Sequence, residues 1–334
     1  MMDQHTTDFA PAAKTAIRKK LLQSGGATKV ELNRTVEASF PTISKLITEM
    51  EKDGEIMSLG LDESSGGRRA ERYVYNADYM LGLAVLMEGN ETRFTVFNCA
   101  GEVKDEGSSA SFLKGNGMEP LTEFIEKMCN QHSAIKTVSI GVPGAVDQGR
   151  VIFIPGYDQF QKMNVKQDLE TRFPVRAVVE NDMNAAVLGY QHADQKQSLV
   201  YLYAGQNGPG SGVLVNGEVV RGSTYFAGEI QFVPQQNDQN FGENLSGGRI
   251  TSDGQIDAVS RLVAAFTAMI NPHAVIFNQH DIDEASLEKI ASASSQFIPA
   301  EHLPELKISN WEQDYLNGLQ KLGIDLLLTL QGGQ

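Results

Sequence analysis

Residues 178–186 read VVENDMNAA, an apolar run that ends abruptly in acid, amide, acid and then turns small and apolar. A β-branched run of this kind is a buried strand, and the residues after it have the apolar face of a helix. The junction therefore lies at a strand exit, where α/β folds carry their ligand contacts. Asp182 either meets a ligand there, as base or as hydrogen-bond partner, or caps the helix DMNAAVLGYQ, with Asn181 a turn residue.

Upstream of this junction, from Tyr79, come the strand-like runs LGLAVLM, RFTVFN and GEVKDEG, a helical segment over about residues 120–129, and the buried strand TVSIGVPGAV. A second set opens at VRAVVEN. It runs through DMNAAVLGYQ, SLVYLYAG and GSGVLVNGEVV to a helix near residues 256–270, the short strand AVIFN and a last helix through WEQDYLNGLQKLGIDLLLTL. Two successive meander-plus-helix units predict a duplicated α/β architecture with a cleft between lobes, 77–175 and 176–334.

Residues 1–76 have a different pattern. In AIRKKLLQSGG, Ile17, Leu21 and Leu22 share one helical face and Gly25-Gly26 is a stop. Thr28 can cap a second, short helix. Ser39 can cap a third, with Pro41 in its first turn and Ile43, Leu46, Ile47 and Met50 in one buried stripe. Two short β-like runs then flank a Ser/Gly loop that carries Arg68 and Arg69. This spacing predicts a winged helix-turn-helix, the alternative being a helical bundle with a solvated hairpin. Phe40, Pro41, Thr42, Ser44, Lys45 and Thr48, on or beside the outward face of the third helix, are the candidates for reading base edges. Arg68 and Arg69 are the candidates for phosphates or the minor groove.

Charge divides along the same line. The 334 residues carry a net charge of −14, with 41% hydrophobic and 21% charged residues, the composition of a globular chain. Residues 1–75 hold 11 basic and 11 acidic residues, and the other 17 and 31 account for the whole excess. An acidic chain excludes generic nucleic-acid binding, but its first segment is electrostatically a separate object. No apolar run is long enough to span a bilayer, and the opening MMDQHTTDFAPAAK has no basic patch before an apolar core, so no membrane partner and a cytoplasmic location are expected. Cys99 and Cys129 are too few for a disulfide framework or a structural zinc site and read as buried apolar thiols.

A winged head followed by IGVPGAVD, VVENDMNAAVLG and GPGSGVLVNGEVVRGSTYFAGE resembles the ROK family (repressors, open reading frames, kinases), in particular its sugar-responsive repressors. The resemblance implies a two-lobed, actin-like ATPase fold of the ribonuclease H type, with a sugar between the lobes. In the family's kinases the aspartate of the END triplet takes a proton from a sugar hydroxyl, which places Asp182 in that role, with Asn181, Glu229 of AGE and Gly144 beside it. Phosphoryl transfer also needs phosphate cradles, and here they depart from the pattern. Ala84 stands where the first phosphate turn would have its aspartate, Pro209 interrupts the second glycine loop, AGQNGPGSG, and NPHAVIFNQH lacks the Gly-Gly near the adenine. Gln231 stands at about the position of the family's zinc-binding histidine, and the cysteine run is missing. The expectation is a repressor with no catalytic residue, no cofactor and no metal. Its partners would be operator DNA and a sugar or sugar phosphate, and it would act as a homodimer or tetramer. The alternatives are an ATP-dependent sugar kinase with an appended DNA-binding domain and a ligand-independent DNA-binding dimer.

Overall fold

The computed structural model describes residues 9–36, 38–62, 69–115, 117–190, 197–205, 208–236, 238–245 and 248–330. Helix α1 (Phe9–Ser24) begins well before the AIRKKLLQSGG run, because the Ala-rich FAPAA extends it and Pro11 is tolerated in the first turn. Gly25 and Gly26, both at positive φ, end it. Strand β1 (Ala27–Thr28) leads into α2 (Lys29–Thr35), where Thr28 and Glu31 form a reciprocal capping box. Ser39 caps α3 (Phe40–Lys52), whose Ile43, Leu46, Ile47 and Met50 are all buried. Strands β2 (Ile56–Leu61) and β3 (Glu71–Tyr75) follow, and the sheet order is β1-β3-β2. Three helices with a hairpin on a small sheet is the expected connectivity of the head. Arg72 fastens the hairpin with a bidentate pair to Asp62 at 2.7 and 2.8 Å and a 3.4 Å approach to Glu31 of the capping box.

The body contains two five-stranded sheets of the same order. The first takes β4 (Leu81–Met87), β5 (Glu91–Asn98) and β6 (Val103–Ala110) as a meander, then helix α4 (Glu119–Gln131) and strand β7 (Ile135–Val142). A small hairpin, β8 (Ala145–Asp147) and β9 (Arg150–Phe153), and helix α5 (Val165–Arg172) lead to β10 (Arg176–Asn181). Helix α6 (Asp182–Gly189) crosses to β11 (Leu199–Tyr203), β12 (Gly210–Val215) and β13 (Glu218–Val219). The second sheet is completed through α7 (Phe241–Asn244), α8 (Asp253–Ile270), β14 (Ala274–Asn278), α9 (Glu284–Ser294) and β15 (Glu305–Ser309), and α10 (Trp311–Thr329) closes the chain. The orders are β6-β5-β4-β7-β10 and β13-β12-β11-β14-β15, so the duplication is a repeated topology.

One boundary moves. Sequence reading starts the second lobe at residue 176, but β10 pairs in parallel with β7 from Arg176↔Thr137 to Asn181↔Val142 and completes the first sheet. An apolar run looks the same whichever sheet receives it. Helices α6 and α10 fill the space between the sheets, in one core with Ala84 and Phe97 of the first and Tyr201 and Ile276 of the second, and that core continues into the head through Ile17 and Leu21. The two helices meet at glycines. A Cβ on Gly318 would fall 1.8 Å from the Ala185 carbonyl, and one on Gly189 1.9 Å from that of Asp314.

Head and body are tied by a buried arginine. Arg18 of α1 donates to Glu55 Oε1 at 2.5 Å, to the Leu328 carbonyl at 3.0 Å and to the Leu330 carbonyl. The last carbonyls of α10, left without intrahelical donors, thus receive a cation.

Candidate functional site

Asn181, Asp182, Glu229 and Gly144 all line one cleft between the lobes, open to solvent. Gly144 turns the chain out of β7, where a Cβ would lie 2.2 Å from the Phe153 carbonyl, so only glycine lets the loop close. Asn181 Nδ2 donates to the Gly144 carbonyl at 3.1 Å and to Asp182 Oδ1 at 2.7 Å. The cap of α6 is Asn181, whose side chain accepts from the Asn184 N–H at 2.9 Å, and not Asp182. Asp182 is the first helical residue, and its Oδ1 also accepts from the Met183 N–H at 2.8 Å. The alternative that made Asp182 the cap is therefore corrected: Asn181 keeps the extended backbone of the strand while Asp182 is already helical, which puts the amide, not the acid, at the cap position.

Electrostatically the cleft is acidic. Burial, and the charge of Glu229, push the Asp182 carboxyl up to about 7, against the hydrogen bonds from Met183 and Asn181 that favour its ionised form. Glu229 accepts from Gln231 Nε2 at 3.0 Å, so the residue at the family's histidine position supports a carboxylate. Glu180, one residue before Asn181, is buried; its Oε1 accepts from the Asn181 N–H and Asn184 Nδ2, both at 3.0 Å, and its Oε2 pairs with Arg221 from the other lobe. Glu88, after β4, lines the same cleft. Its Oε1 is buried without a hydrogen-bond partner among the described residues, and burial with the neighbouring Asp182 pushes its carboxyl up to about 9.

The residues that sequence reading missed are Glu88, Glu180, Arg221 and Asp281. Asp281, three residues past the end of β14, accepts from the Ala204 N–H at 2.8 Å and is pushed by burial up to about 6. A signal for two of them was present: LGLAVLME ends a buried strand in an acid, as VVEND does, and VIFNQHD carries one three residues past its strand.

On the head, Phe40, Pro41, Lys45 and Thr48 are exposed, and Thr42 and Ser44 half-buried. The Thr42 hydroxyl is 2.8 Å from that of the cap Ser39, the Thr48 hydroxyl donates to the Ser44 carbonyl, and Lys45 is 3.9 Å from Glu49. Arg69 is exposed; Arg68 lies outside the described residues. Cys99 is buried and Cys129 partly so. Among the described residues no three His, Cys, Asp or Glu are grouped to hold a metal ion, and no helix is long and apolar enough to cross a membrane.

Residues 83–243 match the family model described as ROK family, so the chain carries a ROK family domain. The xylose repressor of Caldicellulosiruptor bescii is 26% identical over 230 residues, which are 65% of this chain and 57% of that protein. The chain thus spans a little over half the length of this relative. A crystal structure of a ROK family transcriptional regulator, a homologue of the E. coli MLC protein, has a TM-score of 0.72 at 16% identity and covers 96% of this chain and 98% of its own. The ROK hexokinase from Thermus thermophilus has a TM-score of 0.60 at 18% identity over 72% of this chain and 97% of its own. The fold is the two-lobed, actin-like α/β fold that these structures share.

Proposed function

We propose that this chain is a sugar-responsive transcriptional repressor: residues 1–76 bind operator DNA as part of a homodimer, and a sugar in the cleft between the lobes controls that binding. One observation carries the reading: Asn181, Asp182, Glu229 and Gly144 converge on a cleft whose neighbouring strand exits hold carboxylates. Glu88 after β4 lines the cleft where phosphate binding calls for backbone N–H groups and cations. A polyol suits the cleft, because Asn and carboxylate side chains both accept from and order hydroxyls. The kinase reading has Asp182 and little else in its favour. The repressor relative supports the same assignment, as does the head. Arg68 would lie with Arg69 at the wing tip on DNA, while Phe40, Pro41, Thr42, Ser44, Lys45 and Thr48 would present one edge of α3 to the major groove.

Helix α10 supplies a route between the two sites. Trp311, at its start, stacks on the cleft residue Tyr203 at 4.2 Å and 9°. At its other end, about 28 Å away for 19 residues, the Leu328 carbonyl holds Arg18 of the head. A sugar that draws the lobes together would shift α10 against the head and spoil the half-site spacing, provided it binds the two arrangements unequally.

The test selects a duplex from a random pool with the purified chain and follows it by fluorescence anisotropy across titrations of unphosphorylated and phosphorylated sugars. Wild type should release the duplex with at least one of them. Asp182→Asn, which keeps shape and loses charge, should need a concentration roughly 10- to 100-fold higher, in line with about 1.5–3 kcal/mol for a charge-assisted hydrogen bond, with sugar-free DNA affinity unchanged. Equal midpoints would remove Asp182 from the sensor, and turnover of ATP with any sugar would restore the kinase.

A further inference from the structure

We infer that Glu88 is a ligand-contacting residue of the cleft and makes it a site for an unphosphorylated sugar, one that offers hydroxyl or amine donors and carries no phosphoryl group. The inference rests on the sensor reading above and narrows its ligand.

The first ground is geometric. Glu88 is fixed at the exit of β4: its N–H donates to the Glu91 carbonyl at 3.1 Å, and its own carbonyl accepts from Ser111 Oγ at 2.5 Å. The side chain on this fixed backbone lines the cleft beside Asp182. Its Oε1 is buried and has no hydrogen-bond partner among the described residues. Buried carboxyl oxygens are nearly always satisfied, so an unpartnered one at a ligand cleft calls for a donor from the ligand. Two further buried groups without partners among the described residues, Trp311 Nε1 and the Tyr315 hydroxyl, belong to the first turns of α10, where Trp311 stacks on the cleft residue Tyr203. The Tyr315 hydroxyl is pushed up by burial and then by the charges of Glu88 and Asp182, which places it within electrostatic reach of both.

The second ground is charge. The cleft lining offers three carboxyls, those of Glu88, Asp182 and Glu229, and one guanidinium, that of Arg221, which is already paired with Glu180. A phosphate ester would bring up to two negative charges into a lining that, through burial and neighbouring carboxyls, already resists ionisation of Glu88 and Asp182. A phosphate site needs the opposite arrangement, with free N–H groups and uncommitted cations. A neutral sugar donates hydroxyl hydrogens to the carboxyls, and an amino sugar adds an ammonium; both meet the unpartnered oxygen with a hydrogen.

The experiment measures binding to the full chain by isothermal titration calorimetry, with D-xylose, D-glucose, D-glucosamine and N-acetyl-D-glucosamine as probes, each beside its terminal phosphate ester. Wild type should bind at least one unphosphorylated probe and bind that probe's ester at least 100-fold more weakly. Glu88→Gln, and Glu88→Ser as a second variant, should weaken the bound probe tenfold or more while retaining the wild-type circular dichroism spectrum. An ester that binds wild type as tightly as its parent sugar overturns the inference and leaves the sensor reading standing. Unchanged affinity in both Glu88 variants does the same. Failure of wild type to bind any probe overturns the sensor reading, and this inference with it.

Discussion

Replacing Arg18 with methionine should loosen the head from the body by an amount that can be worked out from its partners. Arg18 and Glu55 form an ion pair with side chains 1% and 2% exposed, so removal of the guanidinium leaves a carboxylate in the core with no cation and no water. Breaking a buried pair from one side typically costs about 3–5 kcal/mol. The carbonyls of Leu328 and Leu330 lose their donor as well. Arg18→Met is therefore expected to lower the opening free energy of the head by about 3–5 kcal/mol. Arg18→Met/Glu55→Leu, which replaces the pair with apolar groups of similar volume, should return to within about 1 kcal/mol of wild type. Native-state hydrogen exchange on the α1 amides is the right assay, because it reports local opening in a chain of several lobes that need not unfold in one step. The last turn of α10 should lose protection together with α1. A single variant that costs less than about 1 kcal/mol, or a double variant no better than the single, would refute the argument that this pair holds the head.

Gly318→Ala should destabilise by about 1–3 kcal/mol in urea unfolding through overpacking against Ala185, although the same change on an exposed helix face stabilises by about 1 kcal/mol. Stability should also fall as pH rises from 5 to 9. The Glu88 carboxyl, raised from 4.5 to about 9, keeps in the folded state a proton that the unfolded chain releases, so the folded state binds more protons across that range and loses ground as pH rises. Thermal melts of Glu88→Gln should show a shallower fall, and parallel pH curves for the two proteins would contradict the assignment. On DNA, Arg69→Ala should weaken binding to every sequence and reduce the salt slope by about one unit, whereas Thr42→Ala should change sequence preference in a selection experiment. If neither variant differs from wild type, α3 and the wing do not form the DNA surface.

Local periodicity was enough to read the head and most of the strands. Ile43, Leu46, Ile47 and Met50 recur at helical spacing, and a stripe of that kind is buried against whatever lies beneath it. Ser39 and Thr28 cap their helices through bonds that span three residues, which makes them visible in a short window. The exit of VVEN into a helix came from the same kind of local signal, whereas Gly144, 37 residues from Asn181, was set beside it only by the family resemblance. Periodicity states which face is buried and is silent about the partner. The sheet that would receive β10 was therefore open until its register with β7 was seen, and with it the lobe boundary. Glu88 and Asp182 are far apart in the chain and meet only because β4 and β10 flank β7 in one parallel set. Arg18 finds the Leu328 carbonyl across 310 residues, and Gly189 and Gly318 are required only because two helices cross between two sheets. These are contacts of loop closure and shape. A residue's type permits them, and the packing of the whole chain decides which of them form.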